Sequence, residues 1–147
     1  MKLYTIGFSG KSAETFFELL KNAGVKSIFD LRLSNRGQLA GFTKEDDLKY
    51  FLKRLLNIPY FHYPELAPDH ELMDDYHKKR VDWEGFKIRF ETIMESRGAD
   101  EILKKIIPPA PQPICLLCSE AKANTCHRSL IAARVQKLMP GTEVIDL

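Results

Sequence analysis

The chain is poor in the features that would class it at once. It has three cysteines in 147 residues, an odd count too low for a disulfide framework, so reduced thiols and a cytoplasmic location are expected. It carries no charge imbalance to speak of: 22 basic residues face 20 acidic ones, for a formal net charge of +2. That argues against a protein that coats nucleic acid generally, although a local basic patch stays open. No apolar run approaches the ~20 residues that span a bilayer, so no membrane partner is expected. The opening Met1-Lys2-Leu3-Tyr4 leads into a strand-like segment and not a signal peptide. There is no internal repeat, and the only low-complexity tract is Pro108 to Pro113. What is present is an ordinary globular composition, 44% hydrophobic and 29% charged, over residues 1–147, a length that suits one domain.

Periodicity divides that length into alternating elements. Lys2 to Gly7 is rich in sheet-forming residues and stops at glycine. Ser12 then caps a helix with Ala13, Phe16, Phe17 and Leu20 at helical spacing. Lys26 to Leu31 is a short second strand that carries Asp30 and delivers Arg32, and 33–42 has no period and reads as a loop. Thr43 is expected to cap a helix with a buried stripe of Leu48, Phe51, Leu52, Leu55 and Leu56. Pro59 to Tyr63 is a third strand. The weakly apolar helix Asp69 to Lys79 should lie exposed, with His70 and His77 on the surface. Trp83, Phe86, Phe90 and Ile93 mark another helix, ending near Gly98, and Asp100 to Ile107 a short one. Pro108 to Pro113 should be a stiff extended connector. Ile114 to Cys118 is a fourth strand, about Cys126 to Met139 a helix, and Glu143 to Leu147 a fifth strand.

This order predicts an α/β fold: a single three-layer domain with a mainly parallel five-stranded sheet and helices on both faces. Strand order is not legible. In such folds ligands bind outside the carboxyl ends of the strands. That rule gathers Gly7, Ser9, Asp30, Arg32, Cys118 and Glu120 at one sheet edge, together with the helix start Cys126-His127-Arg128.

The chemistry of these residues has several readings. Arg128 is a cation in the first turn of a helix, where the dipole disfavours it. Either a bound oxyanion compensates it, or a salt bridge to Glu120 or Asp30 does. Cys118 ends a strand near a helix N-terminus and arginines, which could make it a thiolate nucleophile; the simpler reading is a small buried hydrophobe. Cys115-x-x-Cys118 matches a redox or zinc spacing, but an odd offset on a strand sends the two side chains to opposite faces. Zinc on Cys118, Glu120, Cys126 and His127 is awkward because adjacent helical residues diverge by about 100°, and no metal or cofactor is expected. Asp30 and Arg32 share one strand face; Asp30 could act as base or orienter, with Arg32 and Arg36 as anion clamps. Gly7 to Ser12 is not a phosphate loop, because Thr5 stands where that motif needs its first glycine.

The motifs Thr5-Ile6-Gly7-Phe8-Ser9, Asp30-Leu31-Arg32, Gly41-Phe42-Thr43 and Tyr63-Pro64-Glu65-Leu66-Ala67-Pro68 resemble those of the domain of unknown function 488 family. So do Trp83-Glu84-Gly85-Phe86, Leu116-Leu117-Cys118-Ser119-Glu120 and Cys126-His127-Arg128-Ser129. The resemblance implies a small α/β protein in which Gly7-x-Ser9, Asp30-x-Arg32, Cys118-x-Glu120 and Cys126-His127-Arg128 recur. It implies no activity. Lys11 is outside the pattern, and Leu33-Ser34-Asn35-Arg36 lacks the proline that many members carry there. The layout also resembles rhodanese-type sulfurtransferases more loosely, with a longer loop between Cys118 and Arg128.

The expected function is binding of a small or nucleotide-like oxyanion at the strand ends, by an enzyme of hydrolysis or group transfer or by a degenerate relative of one; the sequence leaves open which. Arg32, Arg36 and Arg128 would hold the anion; Asp30 and Glu120 would move protons, with Cys118 as nucleophile. One alternative is a non-catalytic module for nucleic acid or protein, using Lys49, Lys53 and Arg54 with Lys78, Lys79 and Arg80. The other is a thiol, sulfur-transfer or metal-binding protein.

Overall fold

The computed structural model describes residues 1–36 and 41–147. Its elements run β1 (Lys2–Gly7), α1 (Ala13–Asn22), β2 (Ser27–Asp30), α2 (Glu45–Phe51), β3 (Tyr60–His62), α3 (His70–His77), α4 (Trp83–Arg97), α5 (Ala99–Ile106), β4 (Ile114–Cys118), α6 (His127–Leu138) and β5 (Glu143–Asp146). The sheet order is β3-β2-β4-β1-β5, and every pairing is parallel. The chain steps outward from β1 through β2 to β3. It then returns to place β4 between β2 and β1, and ends at β5 on the far edge.

Right-handed crossovers put the helices of the outward and return paths on opposite faces. On one face Phe16, Leu20, Leu48 and Leu52 of the outward path pack against Ile6, Ile28, Cys115 and Leu117. On the other, Phe86, Phe90, Leu103 and Ile131 of α4, α5 and α6 pack against Leu3, Phe29, Ile114 and Leu116. This is the expected three-layer arrangement, with a sheet parallel throughout. Period-two alternation along β4 sends Cys115 into the α1–α2 core and Cys118 to the opposite face. Ser12, Asp69 and Asp82 cap α1, α3 and α4, each accepting a backbone N–H three residues on.

Several local expectations need correction. Thr43 does not cap α2; it lies buried in a 3-10 turn, and Lys44 holds the N-cap position without a side-chain bond. Glu45, Asp46 and Asp47 serve the helix dipole instead. After Phe51 the helix widens into a π-helical turn over Leu52–Leu56. The wider turn rotates the apolar stripe, so Leu52 stays buried while Leu55 turns out to 58% exposure. Helix α3 is not merely exposed, because Leu72 anchors it in the core. The proline tract is turned rather than extended: Ala110 N–H bonds back to the Ile107 carbonyl, and the Gln112 amide does the same. Of the loop expected over 33–42, residues 37–40 lie outside the described residues.

Candidate functional site

Strand order decides what meets at the sheet edge. Central β4 sets Cys118 beside Gly7 of β1, and Leu117 beside Asp30 of β2. The loop after β4 then folds across the end of β1. A Cβ on Gly7 would sit 1.6 Å from the Glu120 carbonyl oxygen and 3.0 Å from the Arg128 guanidinium. Ser9 N–H donates to the Ser119 carbonyl at 3.0 Å. Gly7 and Ser9 thus fasten this loop through close approach and one backbone bond.

Cys126 is the N-cap of α6, one position earlier than the helix proper, which starts at His127. Arg128 has no exposed surface. Its Nη1 donates to Cys118 Sγ at 2.9 Å and to the Glu120 carbonyl at 2.5 Å. Its Nη2 donates to the Ala121 carbonyl and to Asp146 Oδ1, both at 3.2 Å. The carboxylate that compensates this cation is neither Glu120 nor Asp30; it is Asp146, brought close because β5 lies beside β1. Thr5 Oγ1 donates to the same Asp146 oxygen.

Cys118 and Cys126 lie with their sulfurs 2.6 Å apart. Burial pushes the Cys118 thiol up, but the hydrogen bond to Cys126, the Arg128 charge and N–H, and the Glu120 backbone N–H outweigh it; Cys118 lies below the ordinary thiol range. Its hydrogen bond to Cys118, then burial and the neighbouring thiolate charge, push Cys126 far up. The opposite directions favour Cys126 over Cys118 as the proton's place within the pair, on the side away from the Arg128 N–H. Burial also pushes Cys115 up, and it is an inert core residue.

The second half of the site is Arg32. Asp30 is fully buried and accepts Arg32 Nε at 2.9 Å and Nη2 at 2.7 Å. Tyr60 donates its hydroxyl to Asp30, and Asn35 donates to Tyr60 at 2.9 Å. Arg32 Nη2 also reaches the Thr43 carbonyl at 2.7 Å, and the guanidinium lies 5.4 Å from the Phe8 ring centroid. Nη1 is buried and has no partner among the described residues. Arg32 lines a cleft of about 290 Å³ together with Cys118, Ser119, His127, His70 and His77. A smaller adjoining hollow of about 50 Å³ reaches Cys118 and Cys126 past Tyr76 and Phe86.

His70 and His77 are exposed as expected, yet they line this cleft; with Met73 they recur at helical spacing along one face of α3. That spacing was the available signal, and it shows its meaning only once the helix is docked. Tyr60 and Asn35, which brace Asp30, had no comparable signal.

His127 is buried and its Nε2 bonds the Leu31 carbonyl at 2.8 Å. Burial, opposed by that hydrogen bond, pushes its pKa down from 6.5 to about 4. Between those values the unfolded chain binds a proton that the folded protein does not. The stability owed to neutral His127 is therefore complete above about pH 6.5 and is lost as pH falls toward 4, by about 3 kcal/mol. Urea unfolding over this window should show a slope that shrinks by one proton in His127→Gln; an unchanged slope would contradict the assignment.

Other candidates lie elsewhere. Arg36 is largely exposed and pairs with Glu45, away from Cys118. Glu120 contributes its backbone to the corner around Cys118 and Arg128 while its side chain is exposed. Among the described residues no three His, Cys, Asp or Glu side chains converge as metal ligands. Lys49, Lys78 and Arg80 pair with Glu45, Asp74 and Asp75, and Trp83 stacks on Phe86 within the protein. No helix among the described residues is long and apolar enough to cross a membrane.

A family model described as Domain of unknown function DUF488 matches residues 12–135, and the chain belongs to that family. The match takes in Asp30, Arg32, Cys118 and Cys126 to Arg128, and begins after Gly7 and Ser9. No curated protein and no solved structure matches the chain.

Proposed function

We propose that this DUF488 protein binds a small oxyanion in the strand-end cleft and acts on it through the Cys118 thiolate as a group-transfer protein. One observation carries the reading: Arg32 Nη1 is buried and unpartnered among the described residues, and Arg32 lines the cleft that Cys118 also lines. A buried donor without an acceptor is costly, and an oxyanion would satisfy it with a charge-assisted bond. Asp30 then acts as a positioning residue: with Tyr60 behind it, it holds the Nε and Nη2 edge of the guanidinium and leaves Nη1. The cleft volume of about 290 Å³ favours an inorganic oxyanion or a small organic acid over a nucleotide.

In the reaction, Cys118 sulfur bonds to an electrophilic atom of the bound anion, and the leaving group departs with the bonding pair. A second nucleophile takes the transferred group and returns Cys118 to thiolate. Arg128 keeps the sulfur ionised from behind. His70 and His77 rim the cleft on the substrate side.

Sulfate and thiosulfate are suitable probes. At constant ionic strength either should slow alkylation of Cys118 by iodoacetamide. Asp30→Asn/Arg32→Gln, which removes the pair without stranding a buried carboxylate, should abolish the protection. Equal protection of both proteins, or protection of neither, would overturn the anion site.

A further inference from the structure

The site holds one group that this function does not use. Cys126 lies beside Cys118 with a sulfur–sulfur separation of 2.6 Å. A disulfide bond is about 2.05 Å long, so closing one asks for a movement of roughly half an ångström. Both cysteines are buried, and both line the small hollow beside Tyr76 and Phe86. Cys115, the remaining cysteine, points into the core on the other face of the sheet and cannot compete.

We propose that Cys126 is the resolving cysteine of Cys118, making the cleft a dithiol/disulfide couple that a small hydroperoxide oxidises. The inference rests on the reading of Cys118 as a thiolate accessible from the cleft. Cys118 sulfur attacks the terminal hydroxyl oxygen of the hydroperoxide. The O–O bond breaks, hydroxide (or alkoxide) leaves with the electron pair, and Cys118 becomes a sulfenic acid. Cys126 sulfur then attacks Cys118 sulfur and expels the hydroxyl, which takes the Cys126 proton and leaves as water. Sulfur is oxidised by two electrons and the peroxide is reduced by two; an external dithiol returns the pair to its starting state.

The placement of the proton suits these roles. The residue that attacks first carries the charge, stabilised by Arg128, and the residue that resolves keeps its proton until the sulfenic acid is in place. His127 Nδ1 lies 4.0 Å from Cys126 Sγ, with its other nitrogen held by the Leu31 carbonyl.

Peptide mapping by mass spectrometry tests this on the wild-type protein. One equivalent of hydrogen peroxide should remove two thiols, lower the mass by two hydrogens and link the peptides of Cys118 and Cys126. In Cys126→Ser, with its fold checked by circular dichroism, Cys118 should stop at a dimedone-trappable sulfenic acid and pass to sulfinic acid with excess peroxide. A bridge to Cys115, or a Cys118 sulfinic acid in the wild type beside a free Cys126, would overturn the proposal. So would three intact thiols after peroxide. Failure here with iodoacetamide still reacting at Cys118, and sulfate still protecting it, would leave the anion site standing. Loss of that reactivity as well would strike the function itself.

Discussion

Gly7→Ala is expected to destabilise the protein on the order of 3 kcal/mol or to fold it with a displaced loop after β4. The added Cβ would sit 1.6 Å from the Glu120 carbonyl oxygen, a backbone atom that no side-chain rotation can move aside. The effect is purely steric and local to this approach. Glu120 also gives its carbonyl to Arg128 and its N–H to Cys118, so a displaced loop undoes the thiolate corner. Two readouts should therefore move together in this variant: the urea midpoint should fall, and the pH dependence of Cys118 alkylation should shift toward that of an ordinary thiol. A stable variant with unaltered Cys118 chemistry would mean that the loop does not cross the end of β1 as described.

Arg128→Met should lower Cys118 alkylation at neutral pH by about tenfold or more, since each unit of thiol pKa is a factor of ten in thiolate. Arg128 supplies both the charge and a hydrogen bond to the sulfur. Its removal also strands two backbone carbonyls, those of Glu120 and Ala121, at a cost on the order of 2 kcal/mol. Asp146 is 42% exposed and can turn to water. Arg128→Lys separates the two contributions. It keeps the charge but cannot bridge sulfur, carbonyls and carboxylate with one planar fork, so it should recover part of the reactivity and less of the stability. Wild-type alkylation in Arg128→Met would place the source of the lowered thiol pKa elsewhere.

Much of this corner was legible in the chain. Alternation along Ile114 to Cys118 separates Cys115 from Cys118 before any coordinates, and the strand-end rule assembles Gly7, Asp30, Arg32 and Cys118 correctly. The misfit of a cation at the start of α6 pointed to a compensating partner. That partner could not be named, because Asp146 meets Arg128 only through the position of β5 next to β1, and strand order leaves no trace in local pattern. Arg32 was read as a clamp without a sign that Asp30 and the Thr43 carbonyl would take its Nε and Nη2 and leave Nη1. The Cys118–Cys126 contact was hidden for a similar reason. Seven residues lie between them, and only a loop folded back through the 3-10 turn at Ala123–Thr125 closes that gap. The π-helical turn at Leu52–Leu56 marks the opposite case, a regular apolar pattern that the backbone does not follow.

The central claim is that Cys118 is a thiolate in an anion-selective cleft. The most direct measurement is the rate of Cys118 carboxymethylation against pH, with iodoacetate and iodoacetamide compared on the folded and the unfolded chain. The folded protein should reach half its maximal rate below the ordinary thiol value of ~8.5, and its preference for iodoacetate over iodoacetamide should exceed that of the unfolded chain. A midpoint at or above that value, with the reagent preference of the unfolded chain, would contradict both the thiolate and the anion site.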